Sequence, residues 1–250
     1  MSGHSKWSTI KRKKGAIDAA RGKLFTKLGK EIIIAARLGG GDIDGNSRLR
    51  TAVQAAKAQS MPKDNIERAI QKGTGELGGD NIEELVYEGY GPAGVAVLVE
   101  ATTDNKNRTV ADLRNLFKSS GGNLADSGSV AYLFTKRGQM IFEGGKHTED
   151  QIMEVAMDAG AEDVSESDGA VEVLTEPSSL YEVKDAFEKV GMEPDSASFT
   201  YVPSTSVPVE GENVEKLMKL MEKLEDHDDV QRVHSNFDID EKLLAELANK

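Results

Sequence analysis

The sequence predicts an α+β protein of three domains: a small N-terminal helical domain, then two ferredoxin-like domains, the third inserted in the second. Three observations predict it. Residues 1–75 carry apolar positions at helical spacing, short β-branched runs alternate with helical stretches from Glu84 onward, and residues 138–202 follow the order β-α-β-β-α-β.

The first long helix is RGKLFTKLGKEIIIAARLGGG. At about 100° per residue, Leu24, Leu28, Ile32 and Ala35 share a core face, while Lys23, Lys27, Lys30 and Arg37 form a separate cationic stripe. Gly39, Gly40 and Gly41 end the helix, and the DIDGNS turn supplies capping side chains for a second one. That helix places Leu49, Ala52, Val53 and Ala56 at i, i+3, i+4 and i+7, leaving Arg48, Arg50 and Lys57 for its outer surface. Pro62 suits the first turn of a third helix, which carries Ile66, Ala69 and Ile70 and ends at Gly73. The glycine-rich stretch to Gly79 is the first domain boundary.

Beyond it, YEGYGPAGVAVLVEATT gives a turn at Gly91 and Pro92 and a strand over Val95 to Ala101. A helix from Arg108 to Ser120 buries Val110, Leu113 and Phe117, and a strand is expected near Ser129 to Phe134. The repeat unit then reads strand Gln139 to Glu143, helix Glu149 to Ala159, strands Asp163 to Ser165 and Ala170 to Leu174, helix Ser178 to Val190 and strand Ser196 to Tyr201. Strand Ser206 to Val209, helix Asn213 to Leu224 and strand Val230 to Asn236 complete the interrupted unit. The expected domains are therefore residues 1–78, 79–136 with 203–240, and 137–202, followed by a tail at 241–250.

Charge is distributed unevenly. Of 31 Lys and Arg and 43 Asp and Glu, residues 1–72 hold 16 and 6, a net of +10, and residues 73–250 hold 15 and 37, a net of −22. An acidic protein meets a polyanion only where its local field reverses sign, so nucleic acid should approach the N-terminal region. The opening SGHSKWSTIKRKKG places Lys6, Lys11, Arg12, Lys13 and Lys14 around the single tryptophan, Trp7: phosphate-seeking charge with one stacking platform. Arg21, Lys23, Lys27, Lys30, Arg37, Arg48, Arg50 and Lys57 extend the same surface. A second polar cluster, TTDNKNRT, sets Asn105, Lys106, Asn107 and Arg108 between a strand and a helix, where N–H groups favour an anion. It reads as a turn capped by Asn107 or as a second phosphate contact.

Other classes find little support. The chain has no cysteine, hence no disulfide, thiolate metal site or thiol nucleophile. It shows neither an apolar run long enough to cross a bilayer nor the apolar segment of a signal peptide, and a cytoplasmic compartment is the natural reading. His4, His147, His227 and His234 are scattered, and EDHDD around His227 reads as an exposed acidic loop. GxSxG, P-loop and GxGxxG elements are missing, so no enzyme, metal or cofactor is expected. An effector sensor would rest on fold analogy alone.

The blocks MSGHSKWSTIKRKKGAIDAARGKLFTKLGKEI, SMPKDNIERAIQKG, YEGYGPAGVAVLVEATTDNKNRT and GGNL…GSVAYLF closely resemble the YebC family of bacterial and organellar proteins, which includes the mitochondrial translational activator of cytochrome oxidase. The resemblance spans essentially the whole chain. It implies three domains and a non-enzymatic role in gene expression, either as a DNA-binding transcriptional regulator or as a ribosome-associated factor that binds ribosomal RNA or tRNA and relieves stalling at proline-rich stretches. A lysine stripe suits phosphates better than base edges, which favours RNA, whereas the family's usual label points to DNA. Oligomeric state is left open.

Overall fold

The computed structural model describes residues 19–78, 82–143, 145–167 and 169–240. In chain order these hold α1 (Ala19–Gly39), α2 (Ser47–Ala58), α3 (Lys63–Thr74), β1 (Glu83–Tyr90), β2 (Ala96–Thr103), α4 (Lys106–Ser119), β3 (Asn123–Ala125), β4 (Phe134–Phe142), α5 (Glu149–Asp158), β5 (Asp163–Ser167), β6 (Ala170–Thr175), α6 (Leu180–Lys189), β7 (Ser196–Pro203), β8 (Val207–Pro208), α7 (Glu212–Glu225), β9 (Val230–Ser235) and β10 (Phe237–Asp238). The class is α+β, with helices first and two four-stranded antiparallel sheets after. Phe134–Ser204 forms one compact unit, and the stretches on either side of it form the other.

The first three helices share a core of Ile32, Ala35, Ala36, Leu49, Ala52, Val53, Ala56, Met61, Ile66 and Ala69. Leu28 packs at its edge, whereas Leu24, one turn earlier, stays 36% exposed. Asn46 joins two helices. Its side-chain oxygen accepts from Leu49 N at 3.1 Å as the N-cap of α2, and its Nδ2 donates to Ala35 O and Gly40 O at 2.8 and 2.9 Å, closing the end of α1. α3 runs through Gly73 to a left-handed Gly75. Gly73 is where α3 meets α1: a Cβ there would lie 2.5 Å from Ile33 O and 2.7 Å from Ala36 Cβ.

The sheet of this unit has the order β3-β1-β2-β9, every neighbouring pair antiparallel. Val97 and Val99 of β2 and Val230 and Val233 of β9 pack against Leu113 and Phe117 of α4 and Leu217 and Leu220 of α7. β1, which lies between β3 and β2, is a strand beyond the one expected from Val95. The expected strand at Ser129 to Phe134 is replaced by β3, because buried Glu88 accepts from the N–H groups of Gly128, Val130 and Ala131 at 2.7, 2.7 and 2.8 Å and holds that segment as turns. Likewise only Val207–Pro208 of the expected Ser206 to Val209 strand is extended. It pairs in parallel with β10, outside the four-stranded sheet.

In Phe134–Ser204 the order β4-α5-β5-β6-α6-β7 gives a sheet β5-β6-β4-β7, antiparallel throughout, which is the ferredoxin-like plan. Met140, Phe142, Val171 and Val173 face Ile152 of α5 and Leu180 and Phe187 of α6. A capping box between Thr148 and Gln151 starts α5.

Candidate nucleic-acid interface

An α-helix ends with carbonyls that lack intrahelical partners and carry partial negative charge. At the end of α7 these meet the lysine stripe of α1. Lys27 Nζ donates to Glu225 O at 2.5 Å, Lys23 Nζ to Asp226 O at 3.1 Å, and Lys30 Nζ to Asp228 O at 2.9 Å and Asp229 Oδ1 at 2.8 Å. The spacing that suggested a phosphate-binding face thus also builds a cap for another helix, and three of the expected contacts are engaged within the chain.

Asp229 is the centre of this clasp. Although it belongs to the EDHDD run, it is 4% exposed, so the loop is only partly the solvated turn its composition suggests. Its carboxylate also accepts from Arg108 Nη2 at 2.9 Å, Thr109 Oγ1 at 2.8 Å and Thr103 Oγ1 at 3.2 Å, while its carbonyl accepts from Thr102 N at 2.7 Å. Burial alone would raise the Asp229 pKa, but the hydrogen bonds from Lys30, Arg108 and Thr109 outweigh it and hold the carboxyl well below the usual carboxylate range. In turn Asp229, with Asp104, strengthens the hold of Arg108 on its proton. His227 Nδ1 accepts from Asp229 N at 3.1 Å, and its Nε2 lies 3.4 Å from Asp112.

The anion at the start of α4 is therefore the protein's own. Asn105, rather than Asn107, is the N-cap, accepting from Arg108 N at 3.1 Å. Lys106 pairs with Glu83 at 2.5 Å, and Arg108 also reaches Asp104 at 2.9 Å.

The other expected contacts are spread out. Arg48 pairs with Glu31 and Glu84 at 2.8 and 2.7 Å, tying α2 to α1 and β1. Arg37 donates to Ile82 O, and Arg50 donates to Asp44 O and Ser47 Oγ at 3.2 and 3.3 Å. Lys57 is exposed near the end of α2. Lys6, Trp7, Lys11, Arg12, Lys13 and Lys14 lie outside the described residues, as does the side chain of Arg21.

Between α1 and α3 runs a groove of about 280 Å³ that the sequence reading missed. Half-buried Phe25 and the buried Ile33 and Met61 contribute its apolar surface; Asn65, Arg68 and Lys72 line the α3 side, and no acidic residue lines it. The signal was present, since Asn65, Arg68 and Lys72 stand at i, i+3 and i+7 on a helix whose core positions are Ile66 and Ala69. Among the described residues no group of His, Asp and Glu could hold a metal ion, and no helix is long and apolar enough to cross a membrane.

Comparison with known proteins adds the relatives of this architecture. Residues 5–76 match the model of the TACO1/YebC protein N-terminal domain, and residues 82–237 match that of the TACO1/YebC second and third domain. A "probable transcriptional regulatory protein" of Syntrophus aciditrophicus is 55% identical over 249 residues, covering 99% of this chain and all of the relative. Another of that description, from Geotalea uraniireducens, is 57% identical over 247 residues at the same coverage. The crystal structure of a conserved hypothetical protein from Aquifex aeolicus superposes with a TM-score of 0.85 at 48% identity, covering 90% of this chain and 93% of that one.

Proposed function

The chain belongs to the TACO1/YebC family, and from that premise we propose that it is a non-enzymatic regulator of gene expression that grips nucleic acid by its phosphates through its basic N-terminal region. The observation that carries this reading is the charge reversal, +10 over residues 1–72 against −22 over the remainder. A polyanion is drawn to one end and repelled by the other, so its approach is oriented. Lys6, Lys11, Arg12, Lys13 and Lys14 supply the phosphate contacts and Trp7 a stacking face.

The names of the relatives favour transcription, with DNA as the ligand. The cation chemistry favours RNA: the arm offers mainly lysines, point charges suited to phosphates and poor at distinguishing bases. On that second reading the protein works in translation, on ribosomal RNA or tRNA in the cytoplasm.

Crosslinking in living cells, followed by sequencing of the attached nucleic acid, decides between them. Ribosomal RNA or tRNA assigns it to translation, promoter DNA to transcription, and recovery of neither overturns the nucleic-acid reading. In vitro, reversing Lys11, Arg12, Lys13 and Lys14 to Glu should weaken binding to all sequences alike. Each lost phosphate contact should flatten the log-log salt dependence by about 0.7 to 0.9.

A further inference from the structure

We infer that the groove between α1 and α3 is a site for single-stranded RNA, taking one unstacked base against Phe25 and the flanking phosphates on Arg68 and Lys72. This rests on the nucleic-acid reading above and adds where, and in what form, a strand is held.

The first support is the state of the cations. Lys23, Lys27, Lys30, Arg37, Arg48 and Arg50 all donate to groups of this chain. Arg68 and Lys72 are exposed one turn apart on α3, and neither has a side-chain partner among the described residues. With no carboxylate in the lining, the groove is cationic and complementary to phosphate. Phe25, partly buried against the helical core, lines the groove with an aromatic ring for stacking, and Asn65 adds an amide that can meet a base edge. At about 280 Å³ the groove lies just under the usual range of ligand sites, a size that suits one base rather than a larger ligand. An unpaired base with an open face is what RNA loops offer.

Gly29 provides a second, independent support. It lies inside α1 and lines the groove, yet a Cβ there would meet no atom within 4 Å. Packing therefore does not require this glycine, although glycine in a helix interior is destabilising relative to alanine. Gly22 of α1 is equally open but does not line this groove, so what distinguishes Gly29 is its place in the lining, where bare helix backbone lets a flat ring lie close.

The test uses the full chain and a fluorescein-labelled, mixed-sequence single-stranded oligoribonucleotide, with duplex RNA and single-stranded DNA of the same sequence alongside. Gly29→Ala should raise the melting temperature by about 2 to 4 °C while weakening single-stranded RNA binding about tenfold, a pairing of opposite signs that a purely structural role would not give. Phe25→Leu should cost about tenfold in affinity with the salt slope unchanged. The double variant Arg68→Gln, Lys72→Gln should lower the slope by about 1.4.

Wild-type affinity in both Gly29→Ala and the double variant overturns the groove and leaves the nucleic-acid reading standing. Equal losses on duplex RNA, or tighter binding of single-stranded DNA than RNA, overturn the single-stranded RNA assignment. If the wild-type chain binds none of the three probes, the groove proposal fails, and the proposed function fails with it if duplex DNA is not bound either.

Discussion

Lys30 of α1 and Asp229 at the start of β9 form an ion pair of 2.8 Å in which the side chains are 15% and 5% exposed. The pair joins the helical region to the sheet that precedes and follows Phe134–Ser204 in sequence, and Arg108, Thr103 and Thr109 complete the shell of Asp229. Taking one partner from such a cluster leaves the others buried without a counter-charge. Asp229→Asn should therefore lower the free energy of unfolding by about 3 kcal/mol, read from urea titration at neutral pH. Wild-type stability would show that the cluster is dispensable.

The same carboxylate fixes a pH dependence. Its folded-state pKa lies below the ordinary value of 3.8, so the unfolded chain binds the proton more readily. Its contribution is fully present above that value and is lost as the pH falls through the lower folded-state pKa. The urea midpoint of the wild type should fall between about pH 4.5 and pH 2.5, and that of Asp229→Asn should fall less. Parallel acid limbs would assign the loss to other carboxylates, Glu88 first, since it too is held low.

Glu88 supports a separate prediction. Burial would raise its pKa, but three backbone N–H groups around Gly128 hold it down, and those bonds are what keeps residues 128–131 out of the sheet. Glu88→Gln removes the charge and turns a donor toward donors. It should cost about 2 kcal/mol and speed hydrogen exchange at Gly128, Val130 and Ala131. Unchanged exchange there would mean that the turn holds itself.

These residues show what sequence can reveal. Local signals were legible: the Leu49, Ala52, Val53, Ala56 spacing, the end of α1 at Gly39, and the β-α-β-β-α-β order that became β4 to β7, although α3 passes its expected stop at Gly73 and is capped at Gly75. Long-range partners were not. Ser129 to Phe134 reads as a strand because nothing in that stretch announces the carboxylate of Glu88, 42 positions before Val130, which accepts the Val130 N–H. The lysine stripe reads as free because its acceptors are mostly backbone carbonyls at the end of a distant helix, which any sequence supplies. Asp229 is hidden among acidic neighbours that do remain exposed, such as Asp226 and Asp228.

Glycines at helix positions 29 and 73 should respond oppositely to alanine. Gly73→Ala drives a methyl to 2.5 Å from the Ile33 carbonyl oxygen, and backbone cannot swing aside as a side chain can. The helices must separate, at a cost of about 1 to 3 kcal/mol. Thermal melts of the two variants should bracket the wild type, with Gly29→Ala above and Gly73→Ala below. A stabilised Gly73→Ala would mean that the close approach of α1 and α3 is not needed.

Lys27 separates the two roles open to the lysine stripe. Its ammonium group, half-buried, lies 2.5 Å from Glu225 O at the end of α7, a position where a cation near the helix terminus contributes about 0.5 to 1 kcal/mol. To reach a phosphate it would have to give up that bond. Lys27→Ala should therefore lower stability by about that amount and leave the salt slope of RNA binding at the wild-type value, whereas charge reversal over Lys11 to Lys14 flattens it. A slope reduced by about 0.7 in Lys27→Ala, with stability unchanged, would show that the clasp opens when nucleic acid arrives and that the stripe belongs to the ligand after all.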